Sequence, residues 1–382
     1  NGKINNNLTT GTITNDKLII NETLGVINNH HSWTNTGTIE NKKEIYNKAN
    51  GTINNDSTIT NIGTITLEAS SIYNNRSQST LSNTGTINNN TNSVYNNKDS
   101  SILNNNPSGI YNNKGTLLVE FNSSINNKAD INNLVVGTDS SVMNIFGTIN
   151  NNVDVNDSGT IINNSLIYFK KNGADSSTLN NNSIITNNGY ILNQAIVNNN
   201  AFGLITSNSI MRVGSSGIMR NFGTYDIVLG SFTNDGIYIN RENGLIISQA
   251  SLVNNNSYTN RGRFKVFKVS IVNNNSTIVN DSSVINYGNI NNLASGTVTL
   301  NSTGIVTNYN TITNANTGTV TNKGSIINKS LGSSNFDSIN TNDIYGIVDN
   351  TGTINLNTGQ FTNSGKIQNN VTTGIINNNS VI

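Results

Sequence analysis

The sequence predicts an all-β fold, a parallel β-solenoid in which short strands coil around a thin apolar interior. Three observations indicate this fold class. A short G-T-I-x-N unit recurs along the chain, its apolar residues return every six to eight positions, and the composition is too polar for an ordinary globular core. Hydrophobic residues make up 34% of the 382 residues, and nearly a quarter of the chain is asparagine. The apolar residues must therefore be placed with unusual economy.

The copies of the repeat abut one another along the chain. Ile53, Ile59 and Ile65 follow at steps of six residues, whereas Ile102 and Ile110 are eight residues apart. Because no linker or charge block interrupts the pattern, we predict one continuous solenoid domain over residues 1–382. The clearest copies are Gly11–Asn15, Gly37–Asn41, Gly51–Asn55, Gly85–Asn89, Gly147–Asn151, Gly159–Asn163 and Gly318–Asn322.

Each repeat is expected to contain a β-strand. Asn, Thr, Gly and β-branched residues are poor helix formers, and no apolar stripe recurs at helical spacing. In a T-I-T strand the isoleucine faces one side and the threonines face the other, because side chains alternate. One inward aliphatic side chain per strand would fill a narrow coil. The residues that we assign to this core column are Ile13, Ile39, Ile53, Ile87, Ile149, Ile161, Val320 and Ile354.

The residues that flank each strand are expected to form the corners of the coil. Glycine before the strand permits a positive φ, and asparagine after it tolerates the left-handed region and can bind neighbouring backbone. Stacked on successive coils, the asparagine amides would form ladders, each rung adding about 0.5–1.5 kcal/mol. The predicted ladder residues are Asn15, Asn41, Asn55, Asn89, Asn151, Asn163 and Asn322.

Three short faces would make one coil of about 20 residues, which gives a single elongated rod of roughly 90 Å at the ~4.8 Å strand spacing. The variable repeat step favours an irregular right-handed β-helix over a strict hexapeptide left-handed one. The composition changes between about residues 202 and 268, where asparagine thins out while methionine, aromatic and basic residues appear.

Charge and hydropathy restrict the partners. A net charge of +1 argues against nucleic-acid binding, and no apolar run approaches the length of a membrane span. The chain begins at Asn1 without a signal peptide, so we expect a processed or excerpted piece. Because neither end shows a polar cap, we expect either a longer parent chain or self-association, end to end or lateral.

The N-x-G-T-I pattern resembles the repeats of filamentous-haemagglutinin-like adhesins and autotransporter passenger domains. This resemblance implies a right-handed parallel β-helix exported to the cell surface, where it acts as a stalk or adhesin, with no catalytic motif to transfer. We therefore expect an extracellular structural or adhesive fibre that is not an enzyme. The segments that carry the resemblance are Asn35–Ile39, Asn83–Ile87, Asn156–Ile161 and Asn350–Ile354.

No residue set predicts a catalytic or metal site, and no cofactor is expected. His30 and His31 are adjacent, so in a strand they would face opposite sides, and no cysteine could complete a metal site with them. The acids Asp154, Asp157 and Asp226 are scattered, so a cation site or paired catalytic carboxylates receive little support. Surface positions explain all five residues more simply.

Two alternatives to a purely structural role remain open. Arg261, Arg263, Lys265 and Lys268 follow closely on one another and could form a basic outward stripe that docks an anionic glycan or a cell surface. A solvated strand face over a locally wider core is the simpler interpretation. T-x-T pairs such as Thr297 and Thr299 resemble those of ice-binding solenoids, although here they are scattered along the chain, so that β-propensity explains them more simply.

Overall fold

The computed structural model describes residues 3–6, 11–135, 140–154, 157–172, 175–293, 295–315, 318–329, 333–336, 339–342, 347–350, 353–356, 361–364, 366–369 and 375–378. It divides into two compact units, Asn1–Asn198 and Asn199–Ile382. Each unit is an all-β parallel solenoid with about 20 residues per coil, and no helix occurs among the described residues. The predicted fold class is confirmed, whereas the hand of the coil and the single-domain organisation stay predictions.

A coil consists of three four-residue strands, and the local sequence explains why each strand forms. In Thr38–Asn41 the first and third residues face outward, while Ile39 and Asn41 are buried. The same alternation recurs in most strands, because successive side chains of an extended chain point to opposite faces. The inward pair is therefore one apolar residue at the second position and one asparagine at the fourth.

In the first unit the three strands of each coil belong to three parallel sheets, here called A, B and C. Sheet A contains Lys3–Asn6, Val26–Asn29, Glu44–Asn47, Thr64–Leu67, Thr86–Asn89, Ile110–Asn113, Asp130–Asn133, Thr160–Asn163 and Ile184–Asn187. Sheet B contains Thr12–Asn15, Ser32–Asn35, Thr52–Asn55, Ile72–Asn75, Val94–Asn97, Thr116–Val119, Val142–Ile145, Leu166–Phe169 and Tyr190–Asn193. Sheet C contains Leu18–Asn21, Thr38–Asn41, Thr58–Asn61, Thr80–Asn83, Ile102–Asn105, Ser124–Asn127, Thr148–Asn151, Thr178–Asn181 and Ile196–Asn199.

The second unit repeats this arrangement. Its sheet A contains Leu204–Ser207, Thr224–Ile227, Leu245–Ser248, Arg263–Val266, Ser283–Asn286, Ile305–Asn308, Ser325–Asn328, Ile347–Asn350 and Lys366–Asn369. Its sheet B contains Ile210–Val213, Ser231–Asn234, Ser251–Asn254, Ile271–Asn274, Asn289–Asn292, Thr311–Asn314, Ser333–Phe336, Thr353–Leu356 and Ile375–Asn378. Its sheet C contains Ile218–Asn221, Ile237–Asn240, Ser257–Asn260, Thr277–Asn280, Thr297–Leu300, Thr319–Asn322, Ile339–Asn342 and Phe361–Asn363.

Two short antiparallel hairpins extend from corners of the first unit. Val153–Asp154 pairs with Asp157–Ser158, and Lys171–Asn172 pairs with Asp175–Ser176. Each hairpin lengthens a corner between two strands. Stacked asparagines on successive coils are therefore up to 30 positions apart in this part of the sequence.

The core is a column of side chains from the second strand positions, stacked in register. Ile39 pairs with Ile59 on the next coil, for example, and both are buried. The core residues assigned from the sequence lie in this column. Ile13 is only partly buried, because its strand is the first of sheet B and pairs on one side only, with Ser32–Asn35. The fully or nearly fully buried members of the assigned set are Ile39, Ile53, Ile87, Ile149, Ile161, Val320 and Ile354.

The core of the region around residues 202–268 is rich in large aromatic side chains. Tyr225, Phe232, Tyr238, Tyr258 and Phe264 are all buried at second positions, and their rings contact one another in stacked and edge-on pairs. Rings also occur in the core of the first unit, but here they occupy half of the second positions, so the composition change reflects packing of the interior.

The structure corrects the predicted role of glycine at the corners. Among the described glycines, only Gly230 has a φ in the left-handed region. A positive φ is therefore not the reason why glycine precedes the strands. A Cβ at Gly37 would instead collide with the Lys17 carbonyl of the preceding coil. The corners are crowded because the coils approach closely, and glycine is needed for space.

The residues with a left-handed backbone lie in the turns before strands, and they are not the asparagines that end the strands. Asn50, Asn92 and Asn243 have φ values of 65°, 62° and 67°, and each lies in a turn ahead of a strand. The asparagines that end the strands remain extended, so the expectation that they adopt the left-handed region is wrong. Their function is in their side chains.

Candidate binding surface and the asparagine ladders

The predicted stacking of asparagine amides is confirmed. In sheet C of the first unit, the Nδ2 of each fourth-position asparagine donates to the Oδ1 of its counterpart one coil later, at 2.7–2.9 Å. The series runs without a break through Asn21, Asn41, Asn61, Asn83, Asn105, Asn127, Asn151 and Asn181.

Among the residues that the structure describes, each unit has three such ladders, one per sheet, so the residues predicted from the sequence do not share a single ladder. Asn15 and Asn55 lie on sheet B, Asn41 and Asn151 on sheet C, and Asn89 and Asn163 on sheet A. In the second unit Asn322 is buried at the equivalent position of sheet C, where its Oδ1 accepts the Gly324 N–H at 3.1 Å.

Each ladder amide also binds the backbone of the corner, which the sequence had suggested. The Asn41 Nδ2 donates a second hydrogen bond to the Thr64 carbonyl at 3.1 Å. Oδ1 atoms accept a further hydrogen bond, as from the Lys17 N–H to Asn15 at 3.3 Å or from the Ser79 hydroxyl to Asn75 at 2.8 Å. A buried amide is costly unless its donors and acceptors are paired, and the ladders supply these partners, although the Asn234 Oδ1 has none among the described residues.

Apolar residues interrupt the ladders at defined points. Leu67, Val119, Ile145 and Phe169 occupy fourth strand positions in the first unit and are fully or almost fully buried. The sequence signal was a strand of the form T-I-T-L in place of T-I-T-N. At these positions the ladder hydrogen bonds are absent, and a buried apolar side chain adds to the core instead.

A second, outward row of asparagines was not anticipated. In sheet B of the first unit, the third-position Asn74 donates to Asn54 on the preceding coil at 2.8 Å, and Asn96 donates to Asn74 at 2.9 Å. These hydrogen bonds run towards the start of the chain, whereas the buried ladders run towards its end. The signal was the doubled N-N that ends many repeats.

Charged residues at the corners pair between successive coils. Lys42 binds Glu22 at 3.1 Å, Lys48 binds Glu68 at 2.6 Å, and the Arg76 guanidinium binds both oxygens of Asp56 at 2.6 and 3.0 Å. The residues of each of these pairs are separated by one coil. Opposite charges therefore stack along the solenoid as the amides do.

The basic stripe predicted from the sequence is divided by the structure. Arg263 and Lys265 share the outward face of strand Arg263–Val266, where Arg263 is exposed and Lys265 lies 5.1 Å from the Phe267 ring. Arg261 and Lys268 lie at the corners on either side of this strand and are exposed. The Arg261 Nε is 3.4 Å from an Asp281 carboxylate oxygen, so Arg261 faces the next coil rather than the stripe.

Next to Arg261 lies a corner pocket of about 330 Å³ that sequence reasoning missed. It is lined by Phe222, Arg241, Glu242, Asn243 and Arg261. Three of these residues occupy the same corner on successive coils, because each follows the last residue of a sheet C strand. Only the coil register brings together residues that lie up to 39 positions apart.

The remaining candidates lie apart from one another. His30 is exposed and His31 partly buried at a corner, while Trp33 is buried in the core column. Asp226 accepts a hydrogen bond from Gln249 at 2.9 Å, and Asp154 pairs with Asp157 across a hairpin. Within the described ranges, no group of three or more acidic, histidine or cysteine side chains is arranged to hold a metal ion.

Two of the T-x-T pairs come together, contrary to the expectation that they are all scattered. Thr297 and Thr299 lie directly beside Thr319 and Thr321 on adjacent strands of sheet C. Other pairs lie on different sheets, such as Thr311–Asn314 on sheet B. The shared outward face is thus a short patch of threonines.

Several core tyrosines carry hydroxyl groups without a hydrogen-bond partner. The hydroxyls of Tyr73, Tyr95 and Tyr111 are buried in the first unit, and none is paired within the part of the chain that the structure describes. Burial disfavours the phenolate, so it raises the pKa of all three hydroxyls. These groups belong to the packed interior.

Comparisons with known proteins identify no family for the chain. No protein-family model and no curated protein matches the chain. Among the described residues, no helix is long and apolar enough to cross a membrane. Among solved structures, the chain is similar to a TibC-catalysed, hyper-glycosylated fragment of TibA, with 14% sequence identity and a TM-score of 0.26, over 96% of this chain and 99% of that one.

Proposed function

We propose that the chain is a structural element of an extracellular fibre or adhesin, located at the cell surface, with no enzymatic role. The observation that carries this proposal is the use of the inward residues. Second positions fill the core and most fourth positions form amide ladders, so the repeat is devoted to holding one coil on the next. The likeness of the N-x-G-T-I repeats to those of surface adhesins supports the same role.

The outward residues fit a spacer that remains soluble without strong charge. Third positions are rich in Asn and Thr, which offer hydrogen bonds to water, and only 11% of the chain is charged. A solenoid of this kind can be lengthened or shortened by whole coils, because each coil contacts chiefly its neighbours. Length is then a property that a stalk can vary without redesign of its core.

Surface labelling of the source organism tests this role. Antibodies raised against the folded chain should label intact, unpermeabilised cells, and immunogold particles should lie away from the cell envelope. Deletion of residues 64–109 removes two whole coils. The shortened chain should keep its β-sheet circular dichroism spectrum, and the immunogold label should lie closer to the cell envelope. Label that appears only after permeabilisation would contradict a surface role.

A second candidate function is glycan binding through the basic stripe, as in an adhesin module. The outward neighbours of Arg263 and Lys265 on adjacent strands are the uncharged Leu245, Ile247, Ser283 and Ile285. The two cations thus stand on a face with no acidic side chain directly beside them in the sheet. A glycan array should show binding that Arg263→Gln with Lys265→Gln reduces at least tenfold.

Self-association is the partner that we propose for a structural role, either end to end or side by side. On sheet B of the second unit, the first strand positions Ile210 and Ile271 are exposed, and a lateral neighbour could cover them. Sedimentation velocity across a hundredfold range of concentration should show larger species at higher concentration. A single species throughout would count against this partner.

A further inference from the structure

We propose that the corner pocket formed by Phe222, Arg241, Glu242, Asn243 and Arg261 binds a carboxylate-bearing sugar. The inference rests on the second candidate function, glycan binding, and assigns it to a different place from the basic stripe. The pocket lies entirely within the second unit and among described residues.

The corner residues are placed by the backbone of three successive coils. The Arg241 N–H donates to the Asn221 carbonyl at 2.8 Å, and the Arg261 N–H donates to the Asn240 carbonyl at 2.8 Å. Phe222, Arg241 and Arg261 are therefore equivalent residues, each directly after a sheet C strand. Arg241 and Arg261 thus lie on neighbouring coils, and their backbones are one strand spacing apart, ~4.8 Å.

This arrangement departs from the charge pattern of the other corners. Lys42 with Glu22 and Arg76 with Asp56 place opposite charges on successive coils. Arg241 and Arg261 place two like charges there, which repel each other unless an anion lies between them. The acids of this corner leave the pair incompletely matched, because Asp281 contacts only Arg261 of the two, at 3.4 Å, and Glu242 is exposed, so an anion can bind both arginines.

Neither guanidinium is fully used by the protein. The Arg241 Nε is buried and has no hydrogen-bond partner among the described residues, and its guanidinium carbon lies 5.8 Å from the Phe222 ring centre. Arg261 has one long contact, 3.4 Å from Asp281, and Asp281 also accepts a hydrogen bond from Asn301. Both guanidinium groups line the pocket, and their outer nitrogen atoms can bind a planar carboxylate in a fork.

The other lining residues match the rest of a sugar ring. The Phe222 ring offers an apolar surface for the carbon–hydrogen face of a pyranose, and the exposed Glu242 and Asn243 offer polar groups for its hydroxyls. The volume of about 330 Å³ lies at the small end of ligand sites, which fits one monosaccharide unit. Glu242 and Asp281 disfavour polyanions, so a single carboxylate is preferred over a sulfated chain.

The test compares methyl glucuronide with methyl glucoside, which share a ring and differ at the carboxylate, by ligand-observed NMR with the intact chain. We expect glucuronide binding that is at least tenfold tighter than glucoside binding. Arg241→Gln and Arg261→Gln should each weaken it tenfold or more, while Arg241→Lys should give an intermediate loss because it keeps the charge without the fork. Circular dichroism checks that each variant folds.

Controls separate this site from the stripe and from overall charge. Arg263→Gln with Lys265→Gln removes two charges from the stripe, and Lys98→Gln with Lys114→Gln removes two in the first unit. Both should leave glucuronide affinity within twofold. Loss with the stripe variant but not with Arg241→Gln overturns the pocket and keeps the second candidate function. No binding of glucuronide, and none of any acidic sugar on an array, overturns both.

Discussion

The Asn41 side-chain amide donates to the Asn61 side-chain oxygen across 2.7 Å, and Asn61 in turn donates to Asn83 across 2.7 Å. All three residues are fully buried. The link repeats from coil to coil, so each asparagine depends on two partners that are about 20 residues away in either direction. A change at one rung therefore removes the acceptor of one N–H on the preceding asparagine and the donor to the side-chain oxygen of the following one.

Replacing Asn61 by alanine should destabilise the first unit more than its own lost contact suggests. The Asn41 amide would lose an acceptor and the Asn83 oxygen a donor, and each unpaired buried group costs about 1–3 kcal/mol. Hydrogen exchange should accelerate in strands Thr38–Asn41, Thr58–Asn61 and Thr80–Asn83. The matched control is Asn188→Ala, at an exposed corner amide, for which we expect a change within about 0.5 kcal/mol. Equal effects of the two changes would refute a stabilising role for the ladder.

Replacing Gly37 by alanine should lower stability by about 1–3 kcal/mol, as overpacking does in cores. The added methyl would meet the Lys17 carbonyl and amide of the preceding coil, which are backbone atoms and cannot swing away. Ser57→Ala is the control, since this corner one coil later already carries a Cβ. The thermal midpoint measures both. An unaffected Gly37→Ala midpoint would show that the corner has room.

Filling the interior of the second unit should stabilise it. A cavity of about 70 Å³ is lined mainly by apolar side chains, among them Val298, Val306 and Val320. At about 24 cal/mol per Å³ its presence costs no more than about 1.7 kcal/mol. Val306→Ile should therefore raise the free energy of unfolding by about 0.5–1 kcal/mol in urea titrations, while Val279→Ile on the outward face should not. A destabilised Val306→Ile would mean that the cavity cannot accept a methyl group.

The buried tyrosines should make the first unit sensitive to alkali. Burial raises the pKa of Tyr73, Tyr95 and Tyr111 above 10, so they stay neutral in the fold and ionise on unfolding. The stability that comes from a raised pKa in the folded state is fully present below the unfolded pKa of about 10. Above that pH the unfolded state ionises while the folded state stays neutral, so stability falls by about 1.4 kcal/mol per pH unit per group.

Tyr95→Phe isolates this effect. The variant should lose less stability than the parent between pH 10 and 12, and should match or exceed it at pH 7, because the Tyr95 hydroxyl is buried without a partner. Tyr190→Phe, at an outward position of the first unit, is the control. Chemical denaturation at each pH supplies the comparison. Parallel pH profiles for parent and Tyr95→Phe would show that the hydroxyl ionises freely in the fold.

The sequence by itself determined the strands, the inward apolar position and the presence of amide ladders. These features are local, since alternation along a strand fixes which side Ile39 and Asn41 face before any coil is closed. It could not determine that Asn41 and Asn55 lie on different ladders, because that depends on how many residues each corner takes and therefore on the coil register.

Only the tertiary structure decided where the long-range neighbours fall. The closeness of Gly37 to Lys17, the split of Arg261 from Arg263, and the stacking of Arg241 on Arg261 all follow from one coil lying on the next. Such contacts join residues about 20 positions apart, and corner length varies from coil to coil. A one-residue difference at a corner would place a different side chain in each pair, so spacing in the sequence alone leaves them undetermined.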